Sequence, residues 1–184
     1  MQPSRRYADA SFLTFLLRRY SAIIAVRCLA PDRLIEFTFV AEGRIGAGEF
    51  MRLRTLMGQG LEALAALTGQ KAGRFRIRRT FFEGYTQLIM QRDLDTLSVQ
   101  EVAVMVGLVR QVLGPRVVAE ATAGGLGPAQ DDDQDDSPET LRRLLQALKR
   151  KRSARVLIGL RHSGQPLVYN QVSGHLAASR SRQH

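Results

Sequence analysis

Apolar and polar positions follow two different periods along this chain, and the clearest change of period lies between Arg74 and Leu113. Phe75, Ile77 and Phe81 recur at odd positions with Arg74, Arg76 and Arg78 between them, which is the pattern of a half-buried strand; Arg79 interrupts the apolar side. After a turn at Glu83-Gly84, Leu88 and Met90 repeat the pattern, and Tyr85, Gln87 and Gln91 fall on the arginine side. From Ser98 the period lengthens, and Val102, Met105, Val106, Val109, Val112 and Leu113 form a helical stripe. Ser98 and Glu101 have the spacing of a capping box, Leu97 and Val102 that of a hydrophobic staple, and Gly114-Pro115 ends the run. Val99, Val104 and Leu108 make the other side of this helix apolar as well, so something must cover both sides.

The same order of strand, strand and helix is written upstream. Residues 22–29 and 34–40 read as a hairpin around Pro31-Asp32, with Ile35, Phe37 and Phe39 inward and Glu36 and Thr38 outward. A helix from about Glu49 to Thr68 follows, carrying Phe50, Leu53, Met57, Leu61, Leu64 and Leu67. Gly58 and Gly60 weaken it by roughly 1 kcal/mol each relative to alanine, which predicts a close backbone approach there. Two ββα units of this kind predict an α+β fold, a two-layer sandwich in which helices lie on a four-stranded antiparallel sheet. A short N-terminal helix with Phe12, Leu13, Leu16, Leu17 and Tyr20 completes a main domain at residues 1–120.

Beyond it, residues 121–136 read as a flexible acidic linker containing five aspartates. Ser137-Pro138 has the form of a helix start, and Leu141, Leu144, Leu145 and Leu148 follow at helical spacing. A hairpin at 155–160 and 166–169 then completes a small basic αββ module, residues 137–173, before a disordered tail at 174–184. The module is too short to bury a core of its own, so it is expected to dock on the main domain or on a second copy.

Composition sharpens the functional question without answering it. The 184 residues carry a formal charge of +10, with 24 Arg and only three Lys, and residues 137–184 alone hold +9. Such a balance favours anionic partners, although an arginine bias also arises from base composition and net charge serves solubility. The single Cys28 reads as a core residue, and the lack of any long apolar run argues for a cytoplasmic chain with no membrane span. Gly43, Gly46 and Gly48 lie between a strand and a helix but lack the ending of a phosphate-binding loop. Asp93 and Asp95 with Glu83 offer carboxylates, yet a helix start and the adjacent Arg92 account for them. His162, His175 and His184 have no metal-spaced partners, and no nucleophile has an evident base. No catalytic residue, metal or cofactor is therefore expected.

Two readings remain. The first is a nucleic-acid binder using Arg74, Arg76, Arg78, Tyr85 and Gln87 on one sheet face and the cluster Lys149, Arg150, Lys151, Arg152 and Arg155 in the C-terminal module. The second is a protein-interaction module, expected to self-associate, using Val99, Val104 and Leu108 on one helix and Leu141, Leu144, Leu145 and Leu148 on another.

Overall fold

Alternation in the two central hairpins decides which side of the sheet becomes the core. A computed structural model describes residues 8–71, 73–119, 137–151 and 155–172. Its strands are β1 (Ala25–Leu29), β2 (Leu34–Glu42), β3 (Phe75–Phe82), β4 (Tyr85–Asp93), β5 (Arg155–His162) and β6 (Gln165–Val172). Phe37 pairs with Met90 and Phe39 with Leu88 across β2 and β4, while Val26 and Cys28 of β1 face Phe37 and Ile35. All of these side chains are buried in one cluster.

The fold is α+β, but the sheet has six antiparallel strands, in the order β3-β4-β2-β1-β5-β6, where four were expected. A four-stranded sheet would have left β1 as an edge with the buried residues Val26 and Cys28 beside it. Instead β5 pairs with β1, Cys28 opposite Leu157 and Val26 opposite Gly159, so the C-terminal hairpin extends the same apolar face within one chain. The expected linker at 121–136, the tail at 174–184 and Arg152 lie outside the described residues.

Four helices, α1 (Ala8–Arg19), α2 (Ala47–Thr68), α3 (Val99–Leu113) and α4 (Pro138–Arg150), lie against this face. Leu13 and Leu17 of α1 pack directly on Gly159, whose lack of a Cβ admits the helix: an added Cβ would stand 3.0 Å from Leu17 Cδ1. Gly60 of α2 does the same for α3, where a Cβ would meet Leu108 Cδ1 at 3.2 Å and Val104 Cγ1 at 3.3 Å. Gly58 faces open space, so the expected close approach holds at one of the two glycines.

The expected capping box at the start of α3 is present: Ser98 Oγ accepts from the Glu101 N–H, and the Glu101 carboxylate accepts from the Ser98 N–H. Glu101 also binds Arg92, which is buried on the core side of β4 and donates to both its carboxylate oxygens at 2.9 and 3.0 Å. Breaking a buried pair from one side typically costs about 3–5 kcal/mol. Arg33 ties α4 to the β1-β2 hairpin. Its guanidinium donates to the carbonyls of Lys149 (2.7 Å) and Lys151 (3.3 Å) at the end of α4 and pairs with Asp95.

Candidate nucleic-acid interface

Among the described residues all four helices lie on one side of the sheet and no helix covers the other, where period two determines what is displayed. Two neighbouring rows cross its middle. One runs Arg76, Gln91, Glu36, Arg27, Ile158, Tyr169, and the other Arg78, Ile89, Thr38, Ala25, Leu160, Leu167. Glu36 sits under the arginines, buried, and accepts from Arg27, Arg78 and Gln91, each at 3.1 Å. It anchors both guanidinium groups by one nitrogen apiece, leaving further N–H donors of each for an external ligand. Arg76, two strands from Glu36 in the same row, adds a third cation to this part of the face.

The basic character is strongest at the β3 edge. There a groove of about 420 Å³ is lined by Arg54 from α2, by Arg76, Arg78 and Gln91, and by the apolar Phe75, Ile77 and Ile89. Among the described residues no carboxylate lines it. Where β3 turns into β4, Phe82 and Tyr85 face each other in register and are 68% and 48% exposed. Tyr169, on β6 at the far side of the same face, is 52% exposed.

Compared with protein-family models, curated proteins and solved structures, the chain matches none.

The expected residues are distributed unevenly over this geometry. Arg76, Arg78, Tyr85 and Gln87 share the uncovered face. Arg74 precedes β3 and lines a hollow with Asp32, Asp93, Asp95 and Arg33, apart from the groove of Arg76 and Arg78. Lys149 and Arg150 belong to the helical side, in a cleft of about 580 Å³ between α3 and α4 that Arg142 and Arg143 also line. Burial there lowers the Lys149 pKa, against the raising pull of Glu101, Asp95 and Asp93. Lys151 lends its carbonyl to Arg33, and Arg155 is exposed at the start of β5. Among the described residues, Lys149 and Arg150 therefore lie on the opposite side of the sheet from Arg76 and Arg78.

The apolar stripes proposed for self-association lie within the chain. Val99, Leu141, Leu145 and Leu148 are buried, and Val104, Leu108 and Leu144 are half-buried. Asp93 and Asp95 share the hollow with Arg74, but both already have partners there. Asp93 accepts from Thr96 and Arg92, and Asp95 pairs with Arg33. Among the described residues no group of His, Cys, Asp and Glu is placed to hold a metal ion, and no helix is long and apolar enough to cross a membrane.

Sequence reasoning missed Arg27, Arg54, Phe82 and Tyr169. Phe82 was within reach, because its even number puts it on the side of Arg76 and Arg78. Tyr169 was not, because its place depends on where β5 and β6 join the sheet.

Proposed function

We propose that this chain is a non-enzymatic cytoplasmic binding protein that contacts the backbone of a nucleic acid through its uncovered sheet face. The observation that carries the reading is the groove at the β3 edge, where Arg54, Arg76 and Arg78 meet with no carboxylate among the described lining residues. Guanidinium groups are suited to phosphate because their planar donors bind its oxygens in pairs. Arg27 and Arg78, held from beneath by Glu36, extend the basic strip toward the middle of the sheet.

Fluorescence anisotropy with DNA and RNA oligomers from about 50 to 200 mM salt tests this, since phosphate contacts give log K a negative slope against log salt. The variant Arg54→Ser/Arg76→Ser/Arg78→Ser is expected to bind more weakly, with a slope shallower by about 0.7–0.9 for each phosphate that is no longer neutralised. Unchanged affinity and slope would exclude this face.

A second reading, self-association, has its own observation. Leu160 and Leu167 face each other across β5 and β6 and are both 39% exposed, beside Tyr169. Sedimentation equilibrium of the chain and of Leu160→Ser/Leu167→Ser tests it. A dimer that the substitutions dissociate supports this reading, and a monomer at high concentration removes it.

A further inference from the structure

We infer that the ligand is single-stranded, and that Phe82, Tyr85 and Tyr169 are stacking platforms for unpaired bases at the two ends of the arginine strip. The inference rests on the nucleic-acid reading above and adds to it the strand state and the residues that read it.

Three observations meet here. Phe82 and Tyr85 are a cross-strand pair, more exposed than folding alone requires of large aromatic rings, and they stand on the same face as Arg76 and Arg78. Tyr169 lies in the same row as Arg76, Glu36 and Arg27, so a straight path along that row leads from the β3 groove to a third exposed ring. Between the rings Glu36 stands among Arg27, Arg76 and Arg78, so the middle of the strip is net positive, and the exposed Glu42 is in register with Tyr85 at its end.

From strand spacing, Tyr85 and Tyr169 stand four strands and three rows apart, a diagonal of about 28 Å. A duplex presents its bases edge-on inside the grooves and cannot lay their faces on a sheet, whereas a single strand exposes a π-face at every nucleotide. Arginines neutralising phosphates between aromatic platforms make up a sequence-tolerant single-strand site, whose footprint is about 4–16 nucleotides per fold.

The full-length protein with fluorescein-labelled oligo(dT) and oligo(rU) of about 12 nucleotides, and with duplexes of the same length, provides the test. The chain has no Trp and four Tyr, two of them on this face, so intrinsic tyrosine emission reports stacking directly. Single strands are expected to bind about tenfold or more tighter than duplexes and to quench that emission. Phe82→Ala/Tyr85→Ala is expected to lose about tenfold in single-strand affinity with its salt slope unchanged, while Tyr85→Phe retains the affinity. Tyr169→Ala, at the other end of the face, gives an independent reading of the same loss. Salt-dependent binding that ignores these aromatic substitutions and does not distinguish strands from duplexes would overturn the stacking inference and leave backbone contact standing. Absence of binding to every oligomer at low salt would overturn both.

Discussion

Glu36 is the residue on which the electrostatics of the uncovered face turn. It is buried, yet its partners Arg27 and Arg78 are 42% and 61% exposed at the side chain, so the carboxylate is fixed while the cations above it remain in water. An ion pair with so exposed a cation contributes little to stability, about 1 kcal/mol at most. Its larger effect is on the face itself, where it cancels one of three positive charges. Glu36→Gln keeps the acceptor oxygen and removes that charge. If the face contacts phosphates, the variant is expected to bind oligomers several-fold tighter at about 50 mM salt, with a slope steeper by up to about 0.7 for a single strand. Anisotropy titrations of wild type and variant check this, and equal or weaker binding would show that Glu36 is not masking a phosphate site.

Among the elements, α2 shows most directly what a glycine can and cannot disclose. Gly58 and Gly60 carry the same helix penalty, but only Gly60 lies where α3 comes close. Gly58→Ala is expected to raise the unfolding free energy by about 0.5–1 kcal/mol. Gly60→Ala gains less or loses, because its new methyl must displace Leu108 and Val104. Urea unfolding separates the two, and equal stabilisation would mean that α2 and α3 are not closely packed. The same contrast explains what was legible beforehand. The hairpin β3-β4, the capped start of α3 and the leucine stripe of α4 are written in local periods, so they could be read. The pairing of β5 with β1 joins residues more than a hundred positions apart and has no local signature. Gly159 therefore looked like any strand glycine, although its missing Cβ admits α1, and Tyr169 could not be assigned to the arginine face.

At the scale of the molecule, the C-terminal segment is joined to the rest by the β1-β5 pairing, by the packing of α4 on α1 and α3, and by the clasp of Arg33 on the end of α4. The clasp is completed by Asp95, whose carboxyl the Arg33 hydrogen bond holds below its usual pKa. Nearby Asp93 is also held low: burial pushes it up, but hydrogen bonds from the Thr96 side chain and backbone, the charge of Arg92 and the Arg74 backbone outweigh that push. Unfolded, both groups take up protons at about pH 3.9, and folded they do so only at lower pH. Their stabilisation is complete above that unfolded value and is lost as pH falls through the folded one. Asp95 is largely exposed and so contributes little, which leaves Asp93 with the greater share. The stability difference between wild type and Asp93→Asn, measured by urea unfolding, is therefore expected to be constant at neutral pH and to shrink below about pH 4. A difference that persists at pH 2–3 would assign the effect of the substitution to packing or to the neutral hydrogen bonds of Thr96 and not to the charge of Asp93.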